Sequence, residues 1–315
     1  MPTTVSPSTI KTRICIISDT HSRVPAPSET SNLPYRLPFP EADVLIHCGD
    51  ITGVGHVTEY EKVLGFLKPA KAELKLVIAG NHDITLHDEL YMESLKTKHR
   101  NKPEDCKRIR EMWCGEEARA CGIVYLEEGT RTFELGSGAR FTVYSSPWQP
   151  IYFDWAFTYP RETDRFNPSI GLSQSNPTNP VPNHPNVDII LTHGPPMGIR
   201  DETFYGKDHV GCEHLRRAVE RCKPRIHCFG HIHEGWGAER MDWKKKTMTE
   251  LVESDKENVL KERGVYMDLS GSGKRPLRWG EETMFINASI MNVHYKPVNA
   301  PWIVDLDLPM KKNEA

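Results

Sequence analysis

Five short runs rich in Ile, Val and Leu, at residues 13–18, 43–48, 74–79, 187–192 and 225–229, each stop abruptly with an Asp, Asn or His in the next one or two positions. Runs this short and this uniformly apolar suit sheet strands covered on both faces. Helical patterns lie between them: Val57, Tyr60, Val63, Leu64 and Leu67 recur at helical spacing before Pro69, and Cys212, Leu215, Val219 and Cys222 do so before Pro224. Strand, helix, strand is the rhythm of an α/β protein. A second β region is expected as well, because residues 132–135 and 140–144 flank Gly136-Ser137-Gly138, a hairpin signal, and residues 285–291 and 302–306 read as later strands. Two packed sheets follow from that count.

Length and loop composition place one domain over residues 13–308, with a flexible start at 1–12 and a flexible tail at 309–315. Residues 25–40 carry repeated prolines, and a loop insertion near 161–185 is rich in Asn, Pro and Ser. A second insertion, 241–263, is charged with sparse apolar residues (Met248, Leu251, Val252, Leu260), which predicts a surface helix or lid.

A net charge of −3 and a pI near 6.5 leave no global basic field, so neither a nucleic-acid polymer nor a membrane is an expected partner. The opening MPTTVSPSTIKTR lacks the apolar core of a secretory signal, and a cytoplasmic protein is expected. Of the eight cysteines, Cys15, Cys48 and Cys228 sit inside the apolar runs, where a thiol acts as a small hydrophobe. The others form no C-x-x-C pair, which argues against a zinc knuckle.

Chemistry concentrates where the runs stop. The motifs are Asp19-x-His21, Gly49-Asp50, Gly80-Asn81-His82-Asp83, Thr192-His193-Gly194 and Gly230-His231-x-His233. Any one is ordinary turn sequence. Ligand sites of α/β sheets collect beyond the carboxyl ends of strands, so five motifs placed there converge in space. Imidazole, carboxylate and amide donors without thiolate suit Mn, Fe, Zn or Mg in open coordination rather than closed structural zinc. Two divalent ions, partly neutralised by Asp19 and Asp50, would leave a well of charge about +2, for which a phosphate oxyanion is the natural guest.

The same motifs resemble those of the calcineurin-like metallophosphoesterase superfamily, in the order that family uses. Through SDTH (18–21), HCGDIT (47–52), AGNHD (79–83), SSPWQPIYFDWAF (145–157), THGPPMGIRD (192–201), VGCEHL (210–215), FGHIHEGWG (229–237) and FINAS (285–289), the chain is similar to the metallophosphoesterase-domain-containing proteins and class III cyclic-nucleotide phosphodiesterase relatives. The resemblance implies a four-layer α/β/β/α sandwich. It implies a first metal held by Asp19, His21, Asp50 and His233, and a second by Asp50, Asn81, His193 and His231, with manganese favoured. It makes His82 the group that faces the substrate phosphate and stabilises or protonates the leaving oxygen, with Asp83 orienting it and a metal-bridging hydroxide attacking phosphorus in line. Asp83 stands where relatives often carry Glu, whereas His231 is retained where some impaired relatives have Gly.

The expected activity is therefore that of a phosphodiesterase on small or cyclic nucleotides. Asn81 and His82 would contact the phosphate, and Trp148 and Trp155 would stack a base, unless these aromatics simply pack the second sheet. Two alternatives stay open: a phosphomonoesterase or protein phosphatase, and a non-catalytic scaffold of the same fold. Of the remaining histidines, His209, near Arg200-Asp201, is the least easily assigned to surface or core.

Overall fold

The computed structural model describes residues 8–168, 177–205, 207–251 and 255–311. Its first strands are β1 (Thr9–Ile17), β2 (Val44–His47), β3 (Leu74–Val77) and β4 (Ile123–Tyr125). Next come β5 (Gly129–Glu134), β6 (Arg140–Ser146), the two-residue β7 (Gln149–Pro150) and β8 (Thr158–Tyr159), then β9 (Ile189–Thr192) and β10 (Ile226–Phe229). The last five are β11 (Gly237–Asp242), β12 (Thr247–Glu250), β13 (Val265–Asp268), β14 (Glu282–Asn287) and β15 (Trp302–Pro309). One sheet runs β13-β15-β1-β2-β3-β4 and the other β12-β11-β14-β10-β9-β6-β5.

Side-chain alternation explains why the runs look continuously apolar. Ile14 and Ile16, Val44 and Ile46, Ile189 and Leu191, and Ile226 and Cys228 all enter the core between the two sheets. Their neighbours point the other way. Ile17, Leu45 and Val77 pack under Tyr60, Val63, Leu64 and Leu67 of helix α1 (Val57–Leu67), together with Tyr91 from α2 (Asp88–Glu93), Ile109 and Trp113 from α3 (Cys106–Cys114) and Ala118 from α4 (Glu116–Ala120). Ile190, Phe229 and Phe285 pack under Leu215, Ala218, Val219 and Cys222 of α5 (Glu213–Cys222). Both faces of each sheet are covered, as parallel strands require. The result is the expected four-layer α/β/β/α sandwich.

Register brings the motif ends level. β1 to β4 are parallel, with Ile17 beside His47 and His47 beside Val77. β6, β9, β10 and β14 are parallel as well, pairing Ser146 with Thr192 and Phe229 with Asn287. A single bridge between Ser18 and Ser289 ties the two sheets together at that end.

Three boundaries differ from the sequence expectation. β1 begins at Thr9 and pairs Thr9 with Pro309, so the expected flexible lead and tail are both shorter among the described residues. Residues 241–263 are expected to form a surface helix or lid; among the described residues, β11 and β12 form a hairpin on the edge of the second sheet and only Lys256–Glu262 (α6) is helical. The insertion expected near 161–185 lies partly outside the described residues, as do parts of the 1–12, 241–263 and 309–315 segments. No helix among the described residues is long and apolar enough to cross a membrane. Ile46 is fully buried between the sheets. Ile46→Ala will lower the unfolding free energy by about 2 to 5 kcal/mol, read as a lower denaturant midpoint at unchanged m-value.

Candidate metal centre

Three of the strands, β1, β2 and β10, break at their carboxyl ends because the next residues adopt conformations a strand cannot hold. Asp19, His21, Asp50 and His231 all have positive φ (49°, 42°, 52° and 67°). That region is unfavourable for residues with a side chain, and it aims these groups back over the strand ends. Loop backbone is knitted directly across, with Asp19 N–H on the Gly49 carbonyl at 2.9 Å and His21 N–H on the Asp50 carbonyl at 3.1 Å. Gly80 and Gly230 permit the approach, since a Cβ at Gly80 would collide with Asp50 and one at Gly230 with Asp19 and Ser18.

The side chains then gather into overlapping groups. Asp19, His21 and His233 form one, Asp50, His193 and His231 another, and His21, Asp50 and His82 a third that shares a residue with each; within each, one donor atom per residue lies within 4.8 Å of the rest. His21 Nε2 is 3.7 Å from one Asp50 oxygen and His193 Nε2 is 3.4 Å from the other, so Asp50 faces both groups. His233 Nε2 lies 3.4 Å from Asp19 Oδ1 and 3.2 Å from His21 Nε2. Asn81 joins through its Oδ1, 2.9 Å from His193 Nε2. The structure thus brings together all seven residues singled out as metal ligands from the sequence.

Tautomers show what belongs between them. His21 Nδ1 meets the Thr52 carbonyl (3.1 Å), His193 Nδ1 the Cys48 carbonyl (2.9 Å) and His233 Nδ1 the Asn292 carbonyl (3.1 Å). A carbonyl can only accept, so each Nδ1 carries hydrogen and each neutral ring turns a bare Nε2 toward carboxylate oxygens and other rings. Acceptors facing acceptors call for a cation, and the donor set fits a divalent one. Without it, protons fill the role. Burial alone would lower His193, but the Asp50 charge outweighs it and lifts the ring to about 9; His233 is likewise raised, by its hydrogen bond to Asp19 against burial. Burial holds His21 and His231 neutral, at about 4 and about 3. Asp19 and Asp50 would be raised by burial, yet the neighbouring imidazoles keep both below the ordinary carboxylate range.

His82 stands beside this set. Its backbone N–H donates to Asp50 Oδ1 (2.9 Å), its ring Nδ1 donates to the Gly53 carbonyl (2.6 Å), and the ring stacks on Trp155 at 4.0 Å. It opens with Asp50, Asn81, His231 and His233 into a cleft of about 390 Å³. The walls include Tyr152, Tyr205 and Tyr295, residues the sequence reading missed. Tyr295 packs edge-on against His21 and His233 at 4.9 and 5.1 Å, and Tyr152 against His231 at 5.8 Å. Ser289, inside the matched FINAS segment, donates to Asp19 Oδ2 at 2.8 Å. A larger groove of about 720 Å³, floored by Trp236 and Trp302, contains none of the convergent residues.

Two expected roles do not survive. Asp83 does not touch the His82 ring; fully buried, it accepts from Gly80, Ile51 and Thr52 N–H at 2.8, 3.1 and 2.9 Å and from the Thr52 hydroxyl at 2.8 Å. Burial and the Asp50 charge push its pKa up to about 7 against those four donors. Trp148 is outside the cleft, with its ring under the Arg165 guanidinium and against His87 and Phe157. Only Trp155 of the two tryptophans reaches the site, and it does so behind His82. His209 pairs with buried Asp201 at 2.6 Å and is not a cleft residue.

Residues 12–235 match the family model described as calcineurin-like phosphoesterase. Metallophosphoesterase domain-containing protein 1 of Homo sapiens is 32% identical over 299 residues, which span 95% of this chain and 72% of the human protein. A UPF0046 protein of Caenorhabditis elegans is 34% identical over 213 residues, 63% of this chain and 48% of the worm protein. A purple acid phosphatase from yellow lupin seeds aligns with 98% of this chain and 48% of its own at a TM-score of 0.39 and 17% identity.

Two outcomes follow from the geometry. Asp83→Ala orphans several buried donors and will cost about 2 to 4 kcal/mol of stability, measurable by chemical denaturation. A divalent ion added to metal-free protein at pH 7 will displace the proton from His193, whose pKa of about 9 keeps it charged there. Calorimetry in buffers of different ionisation enthalpy will show proton release, with affinity climbing as pH rises toward 9.

Proposed function

The chain belongs to the calcineurin-like phosphoesterase family and is a metal-dependent phosphoester hydrolase, and from that premise we propose that it acts on phosphodiesters, small or cyclic nucleotides first among them, at a dinuclear centre. The observation that carries this reading is the convergence of bare imidazole Nε2 atoms and two carboxylates beside His82, at the floor of a cleft walled by tyrosines.

Asp19, His21, Asp50 and His233 would hold one ion, and Asp50, Asn81, His193 and His231 the other. When bound, the pair would supply Lewis-acid charge and acidify water for attack on phosphorus. Nitrogen and oxygen donors without thiolate admit Mn, Fe, Zn or Mg, with Mn favoured. The protein's own groups do the rest. Asn81 would fix the phosphate by hydrogen bonding. Because His82 Nδ1–H is committed to Gly53, its Nε2 is the atom left to face the departing ester oxygen, and it would give that oxygen a proton from the imidazolium form, in which both ring nitrogens carry hydrogen.

Preference for a diester rests on the walls. Tyr295 flanks the His233 side and Tyr152 the His231 side, so each organic substituent on phosphorus would meet an aromatic face. Such faces also suit a nucleobase. A monoester dianion would call for extra cations at the cleft. Among the lining residues the only guanidinium or ammonium is Arg161, which is spent on the Gly211 and Val210 carbonyls. Eight unpaired cysteines suit a reducing, cytoplasmic setting.

Metal-free protein reconstituted separately with Mn, Fe, Zn or Mg will hydrolyse model diesters and 2′,3′- or 3′,5′-cyclic nucleotides faster than monoesters. A monoester-only profile overturns the diesterase reading, and activity that survives complete chelation overturns the metal requirement. His82→Ala will lower kcat by about 10² to 10⁴ with metal content unchanged. His231→Ala will lose one equivalent of metal.

A further inference from the structure

Glu59 lies in the first turn of α1, where an acidic side chain ordinarily caps the helix by accepting from the residue before it. It does accept from His56 N–H, at 2.9 Å. Three further donors converge on the same carboxylate: Gly53 N–H (2.9 Å), Val54 N–H (3.1 Å) and the Ser22 hydroxyl (2.9 Å). Burial would raise its pKa, but these hydrogen bonds hold it below the ordinary glutamate range, so the group is ionised at neutral pH. A helix cap needs one of these contacts. The others fix a loop.

That loop presents the carbonyl on which His82 depends. Gly53 gives its N–H to Glu59 and offers its C=O to His82 Nδ1 at 2.6 Å. The space is tight, since a Cβ on Gly53 would lie 2.9 Å from Glu59 Oε1. The preceding residue is pinned differently: Thr52, whose carbonyl orients His21, is held by Asp83 through both N–H and hydroxyl. One carboxylate therefore serves the carbonyl of His21, and another serves the carbonyl of His82.

We infer that Glu59 is a positioning residue that sets the orientation of the His82 ring through Gly53, keeping Nδ1–H on the Gly53 carbonyl and Nε2 toward the cleft. This inference rests on the reading of His82 as proton donor to the leaving oxygen. Glu59 touches neither substrate nor reacting atoms. Without it, Gly53 is free to turn, Nδ1–H loses its partner, and the ring no longer holds its Nε2 toward the leaving oxygen. Because Asp83 holds Thr52 independently, the His21 side of the centre is undisturbed.

The test is a mutant cycle between Glu59→Gln and His82→Ala in metal-loaded, full-length protein. A glutamine must turn its amide nitrogen toward one pair of the donors that the carboxylate accepted. Glu59→Gln will lower kcat about tenfold or more, as loss of an aligned proton donor does, with KM within about twofold and metal content unchanged. In the His82→Ala background the same change will have no further effect. Nitrogen-15 NMR of the zinc-loaded protein will find the His82 Nδ1–H hydrogen bonded in the wild type and released in the variant. Gly53→Ala, which pushes on Glu59 from the other side, provides a second perturbation with the same expected non-additivity should Glu59→Gln fold poorly. An equal loss in both backgrounds, an unchanged Nδ1–H hydrogen bond, or loss of metal in Glu59→Gln overturns the inference. A fully active His82→Ala protein overturns the proton-donor role instead, and the Nδ1–H hydrogen bond then still decides whether Glu59 sets the ring.

Discussion

One device is repeated at four histidines: an imidazole Nδ1–H given to a backbone carbonyl. His21 uses Thr52, His82 uses Gly53, His193 uses Cys48 and His233 uses Asn292. The choice of nitrogen fixes the direction of the remaining one, so the chemistry at the centre is set by where four carbonyls lie. Those carbonyls are themselves placed by other bonds. Cys48 ends β2 under the sheet hydrogen bond of its N–H to Ile17, Thr52 and Gly53 are gripped by the carboxylates of Asp83 and Glu59, and Asn292 closes a turn by accepting Tyr295 N–H. The polar centre is in this sense an outgrowth of backbone architecture, and the side chains reach productive positions with little freedom left to lose.

This arrangement carries a conformational cost. Four residues of the set sit at positive φ, each unfavourable by roughly 1 to 3 kcal/mol. The strain persists because both sheets over-determine the loops: Asp19 accepts from His231 N–H and from Ser289, and thereby joins the end of β1 to the ends of β10 and β14. The Ser18–Ser289 bridge repeats the link one residue earlier. Inter-sheet packing and the centre therefore support each other. A slip of one sheet against the other would separate Asp19 from His233 while leaving each sheet internally intact.

Much of this was legible in the sequence because strands buried on both faces leave an unambiguous apolar signature, and because polar residues at their ends have few roles other than turning or binding. The limits are equally physical. Asp83 follows His82 directly, which suggests partnership, yet the tight turn closed by Asp83 N–H on the Gly80 carbonyl sends adjacent side chains to opposite sides. Trp148 lies in a matched segment, but its position depends on Arg165, His87 and Phe157, whose proximity no local pattern encodes. β12 pairs with β11 alone at the sheet edge and is mostly exposed, so its composition carries no strand alternation and reads as a charged surface helix. Tyr295 reaches the cleft from a turn after β14 whose sequence gives no hint of what it faces.

Protons and a divalent cation are alternatives at this centre, and the alternation links its occupancy to stability. In the metal-free chain the Asp50–His193 pair stabilises the fold fully below the ordinary histidine pKa of 6.5, a contribution lost as pH rises through about 9. A bound cation reverses the requirement, since it needs His193 deprotonated and neutralises Asp50 directly. The same cation would relieve Asp83, whose elevated pKa owes its second cause, after burial, to the Asp50 charge. With Asp50 neutralised, the Asp83 carboxylate is free to remain ionised and to hold Gly80, Ile51 and Thr52 at full strength. Filling the centre thus tightens the loops that build it, and it does so through Asp83, the residue that the family resemblance would have made the orienting partner of His82.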